Sequence, residues 1–322
     1  MRRRDFIKVI GGTVAWPLAA HAQQPLPVVG HICGESAERW TDRLHGLARG
    51  LNEAGYFEGQ NVLIEHRWAE ANYDQLPTLV ADLIGRRVAV IVADGAPAAV
   101  AAKASNTIIP IVFFTGGDPV QIGLVASLNR PGGNLTGVSV MNVELATKRL
   151  ELLHELMPGA ARFAMLVNPN NPLTEPVITE LRAAPAVGHQ LEFLSATTNL
   201  DIDAAFADAQ KHADALLVAP DGFFASRRVQ LAMLAVHHRV PTIYSSADYV
   251  KAGGLMSYAA NFPDAYRQVG VYAGRVLKGD KPTNLPVVQP TKCEFVINLQ
   301  AAKMLGMTIP SKLLALVDEV IE

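Results

Sequence analysis

The feature that most constrains the fold is a construction that occurs twice within residues 88–119. Each copy has a short apolar run, then a turn of small residues, and then a sequence typical of a helix start. The first run, residues 88–93, is rich in β-branched side chains and has no polar alternation, as in a parallel strand that is covered on both faces. The pattern therefore predicts an α/β fold with buried central strands.

Both turns have the chemistry of a strand-to-helix connection. Residues 94–96 precede Pro97, which the first helical turn tolerates because its missing N–H would have no partner there. Residues 115–117 precede Asp118 as N-cap and Pro119 at the first helical position. The two helix N-termini would open into one crevice, where a carboxylate or phosphate group can bind. The alternative is that glycine and proline only end these elements.

The N-terminal segment, residues 1–22, has the composition of an export signal. Arg3 and Arg4 form a twin-arginine pattern, an apolar stretch follows, and residues 20–22 offer a small-x-small cleavage site. Arg2 stands where such signals often carry Ser or Thr, so an ordinary secretory signal is the alternative. We expect a soluble protein exported to the periplasm.

Length and charge narrow the class of protein. After residue 22, about 300 residues remain, which suggests two domains, and half of the residues are hydrophobic while only 7% are aromatic. Without the signal the net charge is near −5, because the signal carries four basic residues and one acidic residue. This balance gives no support for a nucleic-acid surface.

The sequence offers no catalytic or metal-binding motif. It lacks a G-x-S-x-G elbow, a phosphate-binding G-x-x-x-x-G-K-[ST] loop and G-x-G-x-x-G, so we expect a protein that is not an enzyme and has no cofactor. No Cys/His cluster has zinc spacing. Cys33 and Cys293 could pair in an oxidising compartment, but separate thiols are favoured because nothing local requires a disulfide.

Strand and helix patterns alternate to about residue 140 and again from about residue 162, which indicates two lobes. The patterns also predict a helix over residues 121–128 and a strand over residues 285–288. Near its end the chain has more strands than the second lobe needs, so we expect it to return to the first lobe and cross back. Three crossings would form a hinge. The expected lobes are residues 27–140 with 259–288, and residues 141–258 with 289–322.

Several motifs together resemble one known family. They are EAGY at 53–56, EGQN at 58–61, GGDPV at 116–120, LNRPGGNLTGV at 128–138, KRLELL at 148–153, AGGLMSY at 252–258 and QPTK at 289–292. Nearly the whole chain after the signal resembles the substrate-binding proteins of ABC importers, in the family whose better-known members bind tryptophan and tyrosine. The motifs are specific for the family but say little about which ligand is bound, because most of their residues are Gly, Pro and Asn that shape the backbone.

The resemblance implies two Rossmann-like lobes with parallel sheets, the type I periplasmic-binding architecture, and a ligand between the lobes. The first lobe would hold an anionic end of the ligand through Gly95, Ala96, Thr115 and Gly116, with Glu35 and Ser36 nearby. The second lobe would close with Asn168, Asn170, Asp221, Phe223, Tyr244 and Asp248. Asp221 would pair with an ammonium group, and Phe223 and Tyr244 would stack on an apolar part of the ligand. For Tyr244, packing in the core is favoured over a ligand contact, because aromatic residues next to strand ends usually pack.

The implied function is that of the periplasmic solute-binding component of an ABC importer. Its ligand would be an amino acid, aromatic or not, or another small carboxylate, and closure of the hinge would bury it before delivery to a membrane permease. We expect a monomer. The alternative is an exported ligand sensor that signals to a partner rather than feeding transport.

Overall fold

The structure, a computed structural model, describes residues 25–37, 41–183 and 190–322. The expected export signal at residues 1–22 lies outside the described residues. The first sheet contains β1 (Val28–Cys33), β2 (Leu63–Trp68), β3 (Val90–Asp94), β4 (Ile111–Thr115) and β5 (Leu135–Ser139). Its strands are all parallel, in the order β2-β1-β3-β4-β5. The buried strand predicted from residues 88–93 is β3, near the middle of this sheet.

The second sheet is mostly parallel. It contains β6 (Arg162–Val167), β7 (Gln190–Ser195), β8 (Ala215–Val218), β9 (Thr242–Tyr244), β10 (Met256–Ala260), β11 (Cys293–Asn298) and β12 (Glu319–Ile321), in the order β12-β11-β10-β9-β8-β6-β7. β10 and β11 are antiparallel, whereas the other described strand pairs of this sheet are parallel. The reason is topological, because the chain leaves the sheet at the end of β10 and re-enters beside that same end.

Helices cover the sheets. In chain order they are α1 (Thr41–Glu53), α2 (Leu76–Gly85), α3 (Ala96–Ala104), α4 (Leu145–Leu156), α5 (Thr174–Ala183), α6 (Asn199–His212), α7 (Gly222–Ser226), α8 (Arg228–His237), α9 (Ala247–Lys251), α10 (Phe262–Leu277), α11 (Leu299–Met304) and α12 (Ser311–Leu314). Short 3-10 helices lie at Tyr73–Gln75 and Pro282–Asn284. None of the helices in the described ranges is both long and apolar enough to cross a bilayer.

Helix α10 belongs with the first sheet, although it follows β10 of the second. Its Tyr266 and Val269 lie in the apolar cluster that contains Val29 and Val90 of the first sheet. It also packs closely on α1, since a Cβ atom added at Gly270 would overlap the carbonyl oxygen of Leu47. This close approach fixes the returning segment to the first lobe.

The chain passes between the sheets after β5, between β10 and α10, and before β11. By strand pairing, residues 259 and 260 lie in the second sheet, although the sequence places them in the first lobe. The strand predicted over residues 285–288 is wrong, because this segment makes only an isolated bridge between Val288 and Val138. Cys33 in β1 and Cys293 in β11 are free thiols in different sheets.

The helix predicted over residues 121–128 is also wrong, because the segment after Asp118 forms turns. The Asp118 carboxylate accepts a hydrogen bond from the N–H of Val120 at 2.8 Å, as in a local Asx turn. Gly123 then adopts a φ of +71°, which stops a helix from continuing. Only the first of the two predicted helix N-termini, that of α3, is present at the crevice.

Candidate functional site

A cleft lies between the two lobes at the carboxyl ends of the first-lobe strands. Residues at the ends of β1, β3 and β4 face residues that follow β6, β8 and β9. The empty space is about 680 Å³, including the part that opens to solvent. Ligands of open α/β folds bind at this edge of the sheet, so the cleft is the candidate binding site.

The first turn brings the N-terminus of α3 to the cleft. Gly95 caps the helix with φ +82° and ψ 152°, a conformation that favours glycine, and Gly95, Ala96 and Pro97 all line the cleft. The N–H groups of a first helical turn have no acceptor within the helix and lie at the positive end of its dipole. The arrangement suits an anionic group such as a carboxylate.

Asp94, the last residue of β3, brings a buried carboxylate to the same place. Its Oδ1 atom accepts a hydrogen bond from the Tyr266 hydroxyl at 2.9 Å, and its Oδ2 atom has no hydrogen-bond partner among the described residues. The Nε2 atom of His31 lies 3.8 Å from Oδ2. Burial raises the pKa of Asp94 to about 7. The cleft therefore contains an acceptor that a ligand ammonium group can satisfy.

Tyr249 adds a second polar group without a described hydrogen-bond partner. Its hydroxyl is buried, and the residue lines the cleft from the second lobe. The ring is fixed by stacking on Tyr244, with 4.7 Å between the ring centroids. The phenol can donate to or accept from a ligand.

One wall of the cleft is aromatic. Phe114 stacks on Tyr266 with centroids 4.6 Å apart and meets Phe262 edge-on at 5.8 Å. The guanidinium of Arg43 lies over the Phe262 and Tyr266 rings, at 5.1 and 5.8 Å from their centroids. Arg43 also forms ion pairs with Glu35 and with Asp248, each at 3.2 Å. Because Asp248 belongs to the second lobe, Arg43 joins the two lobes at the cleft.

Asp221 is saturated by protein donors. Its Oδ2 atom accepts from Asn171 at 2.8 Å, from Tyr73 at 2.9 Å and from Asn168 at 3.2 Å, and its Oδ1 atom accepts from the N–H of Phe224 at 3.0 Å. These hydrogen bonds occupy the lone pairs that an ammonium group would need. Asp221 therefore serves as the N-cap of α7, and Asp94 is the better ammonium partner.

Tyr73 connects the lobes. Its hydroxyl donates to Asp221 and accepts from the N–H groups of Gly222 at 3.1 Å and Phe223 at 3.2 Å. Tyr73 lies in the first lobe and these partners lie in the second. Together with the Arg43–Asp248 pair, these contacts join the two lobes across the cleft.

The structure brings five of the residues expected from the sequence to the cleft: Glu35, Gly95, Ala96, Gly116 and Asp221. The others lie beside it or away from it, and they are Ser36, Thr115, Asn168, Asn170, Phe223, Tyr244 and Asp248. Thr115 is fully buried and its hydroxyl accepts from the N–H of Gly117 at 3.4 Å. Asn168 supports Asp221 from behind, Asn170 is exposed, and Asp248 pairs with Arg43.

The two aromatic residues considered as stacking partners of the ligand pack in the core of the second lobe, the role that the sequence favoured for Tyr244 but not for Phe223. Phe223 and Tyr244 belong to the cluster that contains Leu166 and Val218. The Tyr244 hydroxyl donates to the carbonyl oxygen of Leu231 at 3.4 Å. Phe223 lies at the start of α7 and Tyr244 at the end of β9, and both rings are buried because packing in the core removes their apolar surface from water.

Sequence reasoning missed several residues at the cleft: Arg43, Tyr73, Asp94, Asn142, Asn171, Tyr249 and Tyr266. Asp94 had a signal, because it is the polar last residue of a buried parallel strand. No local sequence signal marks Tyr266, because α10 reaches the first lobe only by the crossing of the chain after β10. Arg43 and Tyr73 come from segments after β1 and β2 that carry no motif.

Several known proteins are similar to this chain in sequence and in fold. The chain is 26% identical over 264 residues to the tyrosine-binding protein of Clostridioides difficile strain R20291, covering 81% of this chain and 76% of that protein. A conserved domain protein from Vibrio cholerae has a TM-score of 0.86 and 26% identity, covering 91% of this chain and 99% of that one. An ABC domain from Streptococcus pneumoniae in complex with L-Trp has a TM-score of 0.84 and 26% identity, covering 92% and 100%.

These structures share the two-lobed fold, which confirms the predicted type I periplasmic-binding architecture. The family model described as ABC transporter substrate binding protein matches residues 36–321. This match confirms the resemblance seen in the sequence, and it agrees with the prediction of a binding protein rather than an enzyme. Because the match spans most of its length, the chain belongs to the family of ABC transporter substrate-binding proteins.

Proposed function

We propose that this chain is the solute-binding component of an ABC importer and that it captures an α-amino acid, in particular an aromatic one, in the interlobe cleft. One observation carries the proposal: Asp94, whose Oδ2 atom has no hydrogen-bond partner among the described residues, directly precedes the N-terminus of α3. The cleft thus combines an anionic acceptor with N–H donors at short range. The ammonium and carboxylate groups of an α-amino acid are separated by a single carbon and match that pairing.

The aromatic wall supports an aromatic side chain on the ligand. Phe114, Phe262 and Tyr266 line the cleft together, and ring contacts of this kind contribute beyond their buried area. Two relatives support the same ligand class, since one is a tyrosine-binding protein and another was solved with L-Trp. A small carboxylate without an ammonium group would leave Asp94 unsatisfied, so we rank it below an amino acid.

Transport from the periplasm completes the proposal. Family membership supports delivery to an ABC permease, and the expected export signal supports a periplasmic location. Closure by Tyr73 and Arg43 would present both lobes to the permease in one fixed arrangement.

A thermal-shift screen of the chain from residue 23 onward tests the proposal. A ligand that binds only the folded protein raises its melting temperature by mass action. We expect saturable shifts with L-tryptophan, L-tyrosine or L-phenylalanine, and none with sugars. No shift with any amino acid, in protein freed of co-purified ligand by unfolding and refolding, would contradict the proposal.

The variant Asp94→Asn tests whether the Asp94 carboxylate contributes to ligand binding. It keeps an oxygen for the Tyr266 hydroxyl but removes the charge, and loss of a charged hydrogen bond weakens affinity by roughly 10- to 100-fold. Asp208→Asn is the control, because this half-exposed carboxylate lies on α6 away from the cleft. Equal affinity in wild type and Asp94→Asn would remove Asp94 from the site.

A further inference from the structure

Arg149 is a fully buried cation at the hinge, and no described carboxylate lies within ion-pair distance of it. Its Nε atom donates to the carbonyl oxygen of Tyr258 at 2.8 Å, and its Nη1 atom donates to the carbonyl oxygen of Asn142 at 3.0 Å. Its Nη2 atom donates to the Oδ1 atom of Asn142. Burial lowers the pKa of Arg149 to about 9, so the group stays positive at neutral pH. A buried charge without a counter-charge is costly, which points to an anion that arrives with the ligand.

Arg149 also fixes the orientation of the Asn142 amide. Arginine has only donors, so the amide oxygen must face Arg149 and the amide nitrogen must face away. The nitrogen donates to the carbonyl oxygen of Ser245 at 3.1 Å, its one hydrogen bond within the described part of the chain. Asn142 and Ser245 both line the cleft. Asn142 therefore offers the cleft an N–H donor and no acceptor.

This donor lies at the same end of the cleft as the N-terminus of α3. Ala96 at the start of α3 packs in one apolar cluster with Val143 and Ala146, which lie between Asn142 and Arg149 in sequence. A Cβ atom added at Gly116, which also lines the cleft, would be 3.4 Å from the Cβ atom of Asn142. First-lobe and second-lobe donors thus converge on one region.

We propose that Arg149 is a positioning residue that makes this end of the cleft select a carboxylate, by holding the Asn142 amide with its donor toward the ligand and by adding an unbalanced positive charge behind it. This inference rests on the proposed function, because it names the group of the amino acid that the hinge side of the cleft recognises. If Arg149 only clamped Asn142 to Tyr258, its loss would instead change the closure of the lobes and so alter the affinity for all ligands alike.

The test compares L-tryptophan with tryptamine, which lacks the carboxylate, by titration calorimetry. Asn142→Asp keeps an oxygen for Arg149 but replaces the donor with an acceptor and neutralises the buried charge. We expect wild type to prefer L-tryptophan, and the variant to lower the tryptophan-to-tryptamine affinity ratio at least tenfold. Asn284→Asp makes the same charge change at an exposed first-lobe position and should leave the ratio unchanged. An unchanged ratio in Asn142→Asp overturns the inference and leaves the proposed function standing.

Wild type that binds neither tryptophan nor tryptamine would contradict the proposed aromatic ligand. A second probe then tests the carboxylate site by itself. Formate is then compared with chloride at equal ionic strength by thermal shift. A saturable formate-specific rise in melting temperature in wild type that Asn142→Asp lacks supports the carboxylate site, and no such rise overturns it.

If Asn142→Asp does not fold, Arg149→Lys replaces it, because lysine keeps the charge but cannot hold Asn142 and Tyr258 together. A lower tryptophan-to-tryptamine ratio supports the inference, and an unchanged ratio overturns it.

Discussion

At the scale of single residues, Asp94 stands out because burial opposes its charged form. Its pKa of about 7 lies well above the ordinary value for aspartate, even though Arg43 and the Tyr266 hydroxyl both favour the charged form. The neighbouring histidines do not titrate in the same range, because burial lowers the pKa of His31 to about 3 and that of His66 to about 4. Of Asp94, His31 and His66, Asp94 is therefore the group whose protonation changes near neutral pH.

Ligand affinity should therefore depend on pH. Below about pH 7 Asp94 is protonated in the unliganded protein, and an ammonium group must displace that proton in order to bind. We expect the dissociation constant for L-tryptophan to rise up to tenfold per pH unit below pH 7, with release of a proton on binding at pH 6. Calorimetry in two buffers of different ionisation enthalpy measures the release. A dissociation constant that is flat from pH 5 to 8 would contradict this assignment.

The raised pKa of Asp94 also makes the stability of the unliganded protein depend on pH, in the direction opposite to that of ligand affinity. Because the folded pKa of Asp94 exceeds the unfolded one, stability falls as pH rises from about 4 to about 7 and stays reduced above that range. Asp94→Asn should raise the melting temperature at pH 8 and change it little at pH 4, as scanning calorimetry would show. A variant that is less stable than wild type at pH 8 would argue against a buried, uncompensated carboxylate.

At the scale of elements, the contact between α1 and α10 attaches the returning chain to the first lobe. At Gly270 a Cβ atom would overlap the Leu47 carbonyl, a backbone atom that cannot move away easily. We expect Gly270→Ala to lower the free energy of unfolding by about 1–3 kcal/mol in urea denaturation. Gly85→Ala is the matched control, because nothing lies within 4 Å of a Cβ atom there. Equal stability of both variants would show that the packing is loose.

The elements also show what the sequence could predict. Apolar runs correctly gave β3 and β4, and Pro97 correctly marked the start of α3. The same pattern failed after Pro119, because the left-handed Gly123 ends the turn. At the site, Asp94 and Gly95 are local to a strand end and could be found. Tyr266 reaches the cleft from a distant segment, so its position does not follow from local sequence. The core position of Tyr244 does, because aromatic residues at strand ends usually pack.

At the scale of the whole molecule, side chains of one lobe hold the other. Tyr73 makes three hydrogen bonds to the segment at the start of α7, and Arg43 pairs with Asp248 on α9. If the lobes open and close about the hinge as proposed, such contacts would form only in the closed state and would favour it as a bound ligand does. Ligand affinity then depends on residues that do not touch the ligand.

Tyr73→Phe should therefore weaken binding without removing a ligand contact. Loss of the hydroxyl removes about 1–2 kcal/mol from the closed state, which corresponds to roughly a tenfold weaker affinity. Small-angle scattering should give a larger radius of gyration for the unliganded variant. Tyr272→Phe is the control, since its hydroxyl donates to Pro286 within the first lobe. If both variants bind like wild type, Tyr73 does not govern closure.

The most direct measurement is a crystal structure of the chain from residue 23 onward with L-tryptophan bound. We expect the ammonium group within hydrogen-bonding distance of the Asp94 Oδ2 atom, the carboxylate at the N-terminus of α3 near Asn142, and the indole against Phe114 and Phe262. A ligand that lies outside the interlobe cleft, or one whose ammonium group binds elsewhere while Asp94 remains unpartnered, would contradict the proposed function.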